Sequence, residues 1–517
     1  MIDAVVQSMF AIGAMSAIEA MSVIEPIQPT SVPEWFAGLV VVVPLLSSVV
    51  PIVAGIRYGR VGWRVTVAVL SINLVLATTL ALSVFANGLI RYAVGGIPVP
   101  YGVELHADAF SVTIVLLDSL MALGILVYTR SAGPGSNAFY SCYLLLTGGI
   151  IGIAMAGDLF NLYVFIEIMA IASYALVAAA KSRWSTYAAI KYLLIGTVGA
   201  TLYLLGVTFV FAATGTLNMV SASVQLAEVG YTDPIVTSAF VLLTMGLAIK
   251  IALFPLHTWL ADAHAAAPTA ISAMLSGLVP AVAVYALSRV VFTVFSIDFL
   301  YANPWLWEGF VAVALLSLLI GNVFAVLQRD VKLMLAYSTI SQFGLVVVGL
   351  AVANETALFG SILQIFGHGI IKGGLFVLAG MFAIRFDART LEAYAGLAKR
   401  SPVMGFAFVL LALAMIGLPP TVGFVGKWYI ALGAIREGMW IVAIVVLIST
   451  LLTVMYVLPF VNRLYFHDPT DRHYPRPGIT RGMIVVVVLA AIFGIGLGLV
   501  SAWIEAAIAP TVERLLA

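Results

Sequence analysis

The chain contains 517 residues, of which 63% are hydrophobic and only 9% are charged, and its mean hydropathy is +1.14. Because soluble domains carry about 25% charged residues, this composition excludes a soluble globular protein and indicates a polytopic membrane protein. A net charge of +1 offers no basic footprint for nucleic acid, so no nucleic-acid partner is expected. The single cysteine, Cys142, excludes an intrachain disulfide and a cysteine-ligated cluster, and no glycine-rich nucleotide loop stands out, so we expect neither a cofactor nor a metal.

Long apolar runs predict transmembrane helices, because a span needs about 20 such residues and the alternating pattern of barrel strands is missing. We predict an all-α protein with fourteen spans, at 35–56, 63–86, 108–130, 139–157, 158–180, 187–213, 234–255, 268–292, 305–328, 333–353, 357–384, 403–430, 437–462 and 482–508.

The basic residues of the loops test this count. If the loops alternate between the two sides, one side receives 16 of the 24 Lys and Arg residues. The other side receives only Arg91, Arg289, Arg436 and Arg514. The positive-inside rule makes the rich side cytoplasmic, which predicts a multi-pass protein of the plasma membrane with both termini outside.

Residues 1–34 are predicted to form an extension ahead of the first three helices, which occupy 35–130. The first 25 residues carry three acidic residues and no basic one, so they lack the charged start of a signal peptide. We expect an interfacial or poorly ordered segment there, and a fifteenth spanning helix is the alternative. The segment 87–107 is rich in Gly, Pro and β-formers and predicts a small hairpin on the outer face.

Four lysines fall inside predicted spans, where an ionised lysine costs about 2.5–3.5 kcal/mol on insertion scales; they are Lys191, Lys250, Lys372 and Lys427. Lys250 precedes Pro255, which interrupts its helix, and His257 and His264 follow the interruption. Water or free backbone groups at a break can stabilise a lysine, which favours a functional role over snorkelling to the interface. Lys191 lies near the cytoplasmic start of its helix, where snorkelling or loop exposure explains it equally well.

Two acidic residues also fall inside predicted spans. Glu167 lies about nine residues into its helix, where an isolated carboxylate would be protonated and a nearby ammonium would keep it ionised. A Glu167 to Lys250 contact would either exchange proton occupancy as the separation changes or act as a structural ion pair between helices. Asp118 has no partner that the sequence reveals, and structural and functional roles are equally open for it.

A second pair of ionisable side chains lies in the distal half of the chain. His368 and Lys372 are four residues apart in an apolar run, so they share one face of a helix. A lone histidine in such a helix is more often a packed, hydrogen-bonded residue than a proton relay. The neighbouring lysine favours the relay.

Pro419 and Pro420 interrupt a later helix, and Lys427 follows them. The two interruptions therefore stand at corresponding positions of two five-helix blocks, 139–292 and 305–462. Paired interrupted helices indicate the ion path of an inverted-repeat transporter. An odd number of helices per block makes the second block insert in the opposite orientation.

Several stretches between about 100 and 465 resemble one family, in the family's order. They are DLFNLYVFIEIMAIASYAL, GLAIKIALFPLHTWLADAHAAAPTAISAMLSG, RDVKLMLAYSTISQFG, FGHGIIKGGLFVLAG and GLPPTVGFVGKW. They are similar to the antiporter-like membrane subunits shared by Mrp-type multisubunit cation/proton antiporters, the membrane arm of respiratory complex I and membrane-bound hydrogenases.

The resemblance implies a fourteen-helix fold with two inverted five-helix repeats and a chain of protonatable groups across the membrane midplane. Glu167 matches the family's essential glutamate, Lys250 the lysine of the first broken helix, and Lys427 the charged residue of the second. His368 and Lys372 match the connecting relay.

The DVK motif and one departure complete the resemblance. Lys332, in the motif, is expected at the cytoplasmic edge. Ala281 occupies the position in the eighth helix where many members carry a lysine. Water or the hydroxyls of Ser272, Ser276 and Tyr285 would then bridge the middle of the pathway.

Together these features predict a proton-translocating subunit of a multisubunit monovalent cation/proton antiporter, similar to the Mrp D-type, with H⁺ and Na⁺ or K⁺ as its ions. Its partners would be other membrane subunits and the lipid bilayer. One alternative is a proton-pumping, non-redox subunit of a complex I-like quinone oxidoreductase or membrane-bound hydrogenase. The other is a stand-alone secondary transporter. We therefore expect a transporter subunit rather than an enzyme.

Overall fold

The computed structural model describes residues 32–99, 102–469 and 478–516, so nearly all of the predicted N-terminal extension lies outside it. Within the described chain, 13 helical stretches are long and apolar enough to cross a membrane. A further crossing is divided between two shorter helices, Pro402–Ile416 and Val422–Arg436. The protein is an all-α polytopic membrane protein.

The first part of the fold contains three crossings and a small hairpin. Its elements are α1 (Phe36–Ser47), α2 (Val50–Tyr58), α3 (Gly62–Asn87), β1 (Ile90–Ala93), β2 (Glu104–Ala107) and α4 (Ala109–Ala132). α1 and α2 form one crossing, and Pro51 lies in the first turn of α2, where its missing N–H breaks no helical hydrogen bond. β1 and β2 pair antiparallel, with Ile90 opposite Ala107, in the segment where the sequence predicts extended structure.

The middle of the chain contains both long and short helices. They are α5 (Asn137–Met155), α6 (Leu159–Ala178), α7 (Arg183–Thr214), α8 (Met219–Val229), α9 (Pro234–Ile251), α10 (Leu260–Ala266), α11 (Thr269–Gly277), α12 (Val279–Ser288) and α13 (Ser296–Ala302). A π-helical segment, Arg289–Phe295, joins α12 to α13. The start of α7 is fixed by a capping box between Ser182 and Ser185.

The distal part begins after a short connection. Its helices are α14 (Pro304–Val326), α15 (Val331–Val352), α16 (Glu355–Phe386), α17 (Leu397–Arg400), α18 (Pro402–Ile416), α19 (Val422–Arg436) and α20 (Trp440–Phe466). α19 runs beyond the end predicted at 430, so the second half of this broken helix is longer than the apolar pattern indicates.

The C-terminal segment differs from the prediction of one helix over 482–508. It forms α21 (Arg481–Leu499) and α22 (Ser501–Leu516), separated at Val500. The apolar run continues through this joint, so hydropathy gives no sign of it. α22 buries Ile508 and Val512 and exposes Glu513, as an interfacial helix does.

Burial separates the helices into an inner and an outer group. The most apolar windows of α15 and of the stretch from α11 through α13 are 94% buried, whereas that of α20 is 33% buried. Helices that are apolar on every face belong inside a bundle. On α20, a stripe of exposed residues is available to the lipid bilayer, namely Ile441, Ile444, Leu447 and Leu451.

Small residues bring α7 and α9 into backbone contact. A Cβ added at Gly246 would lie 2.6 Å from the carbonyl oxygen of Gly199. Small residues permit such close approaches between membrane helices. This contact fixes the helix that carries Lys250.

Candidate functional site

The first helix interruption follows Lys250 immediately. α9 ends at Ile251 because Ala252 adopts a left-handed conformation with φ of +63°. The chain then passes through Pro255 without helical geometry until α10 begins. Lys250 therefore occupies the last turn of a helix that stops inside the bundle.

Side chains satisfy backbone groups that this interruption leaves free. The indole nitrogen of Trp259 donates to the Ile249 carbonyl at 2.9 Å, and the Phe254 N–H donates to Ser317 Oγ at 2.8 Å. A broken helix at membrane depth needs such partners because water is scarce there. The break is therefore built into the packed structure.

Lys250 and Glu167 face one another across α9 and α6. Lys250 Nζ lies 3.7 Å from Glu167 Oε1 and donates to the Tyr174 hydroxyl at 3.3 Å. The lysine side chain is 2% exposed and the glutamate side chain is 27% exposed. The pair is close enough for strong attraction but too long for a direct hydrogen bond. The lysine is sealed inside the protein, whereas the glutamate side chain is partly exposed although its Oε1 is buried.

Two lysines hold α10, one in its first turn and one just beyond its C-terminal end. Lys191 Nζ donates to Asp262 Oδ2 at 2.6 Å, which joins α7 to α10. Lys332 Nζ donates to the Ala267 carbonyl at 2.8 Å, directly after the end of α10. Lys191 is therefore ion-paired within the protein, and a positive charge stands where the dipole of α10 favours one.

The two histidines of the broken segment pack against aromatic rings. His257 lies beside Phe254 and Phe324, with ring centroids 5.5 and 6.1 Å away, and His264 stacks on Phe376 at 5.4 Å. Among the described residues, Nδ1 of His257 and both ring nitrogens of His264 have no hydrogen-bond partner. Both histidines are buried, so these nitrogens lie inside the protein and away from bulk solvent.

A polar contact joins the two halves near Ala281. Pro280 has no N–H, so the Ser276 carbonyl one turn earlier loses its helical donor. The ring of His368 lies close to the backbone of Ser276. The Ser276 hydroxyl lies 2.7 Å from that of Thr339. Serine and histidine thus meet one turn before the position that lacks an ionisable side chain.

The other two hydroxyls proposed for this gap are engaged elsewhere. Ser272 Oγ donates to the His264 carbonyl at 2.8 Å, and the Tyr285 hydroxyl donates to the Ala154 carbonyl at 2.8 Å. Ser276 is therefore the one of the three predicted hydroxyls whose residue contacts His368. Within the described chain, no hydrogen bond joins Lys250 to His368 directly.

Lys372 is fully buried one turn beyond His368. Its Nζ donates to the Leu335 carbonyl at 2.9 Å and to the hydroxyl of Ser338, both on α15. A buried ammonium needs such acceptors because no carboxylate pairs with it among the described residues.

Two glutamines lie on the other side of His368 from Lys372 and extend this row of polar side chains towards Lys427. Gln364 precedes His368 by one turn, and its Nε2 donates to Gln342 Oε1 at 2.9 Å. A Cβ added at Gly426, next to Lys427, would lie 2.5 Å from Gln364 Oε1. Gln364, His368 and Lys372 recur every four residues. That spacing is visible in the sequence, and the sequence-based prediction missed the glutamines because it followed only ionisable groups.

Lys427 sits at the second interruption, which separates α18 from α19. α18 ends where Gly417 takes a φ of +87°. Lys427 Nζ donates to the carbonyls of Ile416 at 2.8 Å and Met415 at 3.2 Å. These are the free carbonyls of a helix C-terminus, where the helix dipole stabilises a cation. Pro419 and Pro420 lie in the intervening loop.

A buried ion pair lies apart from these groups, at the start of α4. Arg289 Nη2 lies 2.5 Å from Asp108 Oδ2. Burial alone would raise the pKa of Asp108, but Arg289 and hydrogen bonds outweigh it and lower the pKa to about 2. Burial lowers the pKa of nearby His106 to about 3, so its imidazole is neutral. The expectation of Arg289 in a loop is wrong, because the sequence does not reveal its carboxylate partner.

A comparison with known proteins places the chain in a family. Residues 156–453, more than half of the chain, match the family described as NADH:quinone oxidoreductase/Mrp antiporter, transmembrane region. The chain belongs to this family. The matched part contains the Glu167 to Lys250 contact and both helix interruptions, whereas α4, with Asp118, precedes it.

The chain is similar both to subunits of NADH-quinone oxidoreductases and to subunits of Na⁺/H⁺ antiporters. The N-type subunit of the NADH-quinone oxidoreductase of Desulforudis audaxviator is 39% identical over 77% of this chain and 81% of its own length. The D-type subunit of the Na⁺/H⁺ antiporter of Bacillus subtilis is 32% identical over 91% and 96%. A chain of the Mrp complex from Dietzia sp. superimposes with a TM-score of 0.84 and 26% identity, covering 94% of this chain and 99% of that one.

Proposed function

We propose that this chain is the proton-translocating membrane subunit of a multisubunit monovalent cation/proton antiporter. The observation that carries the proposal is the contact between Glu167 and the sealed Lys250 beside a helix interruption. Similarity to a D-type antiporter subunit, at 32% identity over 96% of its length, supports the antiporter. The loop charges support a plasma-membrane location with both termini outside.

The first half would load and release a proton at Lys250. The ammonium form of a buried lysine depends on its partners, because desolvation favours the neutral amine. When Glu167 moves away from Nζ, the ammonium loses its carboxylate and gives up a proton. When it returns, the lysine takes one up. The partial exposure of Glu167 leaves it accessible to a partner subunit that could drive this motion.

The second half would pass the proton onward. The His368 to Ser276 contact connects the central region to Lys372, and the glutamine pair leads from His368 towards Lys427. Lys427 is held by free helix carbonyls rather than by a carboxylate. A cation held by dipoles alone loses its proton more readily than one in an ion pair, which suits an exit to one side.

The partners follow from the same proposal. Other membrane subunits would carry Na⁺ or K⁺, and movement of Glu167 would couple the two fluxes. Lys191, Asp262 and Lys332 hold α10 and would set access to the first half from the end of the bundle where they lie.

A second candidate is a proton-pumping subunit of a quinone oxidoreductase. The 39% identity to the N-type subunit of an NADH-quinone oxidoreductase favours it. In that case redox chemistry would reside in other subunits and would drive the same buried groups.

Purification distinguishes the candidates. The chain is extracted in mild detergent, the co-eluting chains are identified, and the complex is placed in vesicles with a pH-sensitive dye inside. We expect co-eluting hydrophobic subunits and proton movement on addition of NaCl or KCl. Co-elution of flavin or iron–sulfur subunits, with proton movement that requires a reduced electron donor and a quinone as acceptor, would replace the antiporter by the second candidate. Full exchange by the chain alone would contradict the multisubunit assignment.

A further inference from the structure

Asp118 is a buried carboxyl group for which the described part of the chain supplies no partner. It lies in the tenth position of α4, about 14 Å from the start of the helix at 1.5 Å per residue. Its side chain is 0% exposed. Neither carboxyl oxygen has a hydrogen-bond partner, and no ion pair includes Asp118, within the described residues.

Among the residues that the structure describes, no counter-charge pairs with Asp118. The titratable group that faces it is Tyr143 of α5, whose hydroxyl donates to the Ala122 carbonyl at 2.7 Å. From α11, Met274 contacts that same hydroxyl through sulfur at 3.4 Å. On the side of α3, Asn73 donates to Ser119 at 3.3 Å.

The position of Asp118 matches the gap in the pathway. The start of α4 meets the end of α12, since Asp108 pairs with Arg289 and the ring of Phe110 lies 4.8 Å from that of Tyr285, and further along α4 packs against α11. Further along α4, Leu117 lies against Gly369 of α16, the helix that carries His368.

Leu117 packs beside the central link itself. A Cβ at Gly369 would lie 3.0 Å from Leu117 Cδ1 and 3.1 Å from the Gly277 carbonyl oxygen. Gly369 follows His368, and Gly277 follows Ser276. Asp118 is therefore next in the chain to a side chain that packs at Gly369, beside the close approach of α16 to Gly277 of α11 and about one turn from Ala281.

The missing partners decide the protonation state. An ionised carboxylate without a counter-charge in a low-dielectric interior is strongly unfavourable, so the group is a neutral acid. A purely structural role explains it poorly, because an unbonded buried carboxyl costs free energy that an apolar side chain of the same size would not. A neutral acid does offer one transferable proton.

We propose that Asp118 is kept as a neutral carboxylic acid and serves as a proton station beside the His368 to Ser276 link, where Ala281 provides none. The O–H bond of Asp118 breaks as its proton passes along intervening water to Nε2 of His368, which has no partner in the described chain. A second proton arriving from the Lys250 side re-forms the acid. This inference rests on the proposed function of the chain as a proton-translocating subunit.

Asp118→Asn in the purified complex tests the station, because Asn keeps the size and removes the acidic proton. Infrared spectra at pH 7 are recorded for parent and variant, together with proton movement in vesicles after addition of NaCl or KCl. We expect the parent to show a protonated-carboxyl band that the variant lacks, and the exchange rate of the variant to fall by about tenfold or more. Glu228→Gln, at an exposed position, is the matched control and should change neither.

The outcomes are separable from those of the proposed function. Identical spectra would overturn the neutral acid. A lost band with an unchanged rate would overturn the station while leaving the neutral acid, and the proposed function would stand if Glu167→Gln stops exchange in the same vesicles. An unchanged exchange rate in both Asp118→Asn and Glu167→Gln would refute the proposed function itself. Asp118→Glu, which restores an acidic proton, should recover part of the rate if the complex assembles.

Discussion

Replacing Glu167 by Gln removes a negative charge 3.7 Å from Lys250 Nζ. At about this separation, the attraction between unit charges is about 1 kcal/mol in bulk water and about 4 kcal/mol at an effective dielectric constant of 20. A 27% exposed carboxylate beside a 2% exposed ammonium falls between these limits. With 1.36 kcal/mol per tenfold, the loss changes the proton-binding equilibrium of Lys250 by a factor between about 5 and 1000.

The exchange rate should therefore fall by at least about fivefold in Glu167→Gln, since each turnover requires Lys250 to be loaded. The assay is dye-reported proton movement in vesicles containing equal amounts of assembled complex. Glu167→Asp keeps the charge but shortens the side chain, and should retain an intermediate rate. Glu228→Gln is the control. A parental rate in Glu167→Gln, with the complex intact, would refute the role of the contact.

Three other substitutions test separate parts of the structure. Asp108→Asn leaves Arg289 buried without its carboxylate and should lower the free energy of unfolding by about 3–5 kcal/mol, seen as a lower thermal midpoint in detergent. Because the folded pKa of Asp108 is lowered to about 2, the pair contributes fully above its unfolded value and is lost only as the pH falls towards 2. The difference in midpoint should thus be the same at pH 8 and pH 6; a difference that vanishes by pH 6 would contradict the assignment. Lys427→Met should abolish cation/proton exchange without loss of co-eluting subunits, whereas Lys427→Arg should keep assembly and part of the exchange rate. Exchange at the parental rate in Lys427→Met would show that Lys427 is not on the proton path. Gly246→Val places a branched side chain where even a Cβ would lie 2.6 Å from the Gly199 oxygen. It should lower the thermal midpoint by an amount equivalent to about 1–3 kcal/mol of unfolding free energy. An unchanged midpoint would show that α7 and α9 separate freely.

The helices were largely predictable because their physical cause is local. Apolar runs of about 20 residues indicate membrane spans. Pro255 and Pro419 predicted helix breaks, and the structure has one break between Ile251 and Leu260 and another between α18 and α19. The short helix α8 and the joint at Val500 were missed. Hydropathy alone cannot detect a helix that lies outside the span pattern or a turn within an apolar run.

Contacts between distant residues were predictable only where charge demanded a partner. Glu167 was expected beside Lys250, and the structure places them 3.7 Å apart. The Asp108 to Arg289 pair was not foreseen, because both residues lie near predicted span ends where exposure explains a charge. Asp118 illustrates the opposite limit, since its lack of a partner is a property of the packed structure and cannot be read from the chain.

The polar acceptors of the distal half were hidden for another reason. Lys427 donates to backbone carbonyls, and the break that frees them was visible only as two prolines. Backbone groups have no sequence signature. The His368 to Ser276 contact likewise depends on Pro280 freeing a carbonyl one turn earlier.

The most direct test of the central claim is to record cation and proton fluxes on the same vesicles containing the Lys250→Met complex. Methionine has a similar length and no charge, so the packing of α9 is retained while the proton carrier is removed. If protons cross through Lys250, radioactive sodium or potassium uptake and proton movement should fall together by about tenfold or more, with all co-eluting subunits present. Parental fluxes of both ions in Lys250→Met would contradict the account.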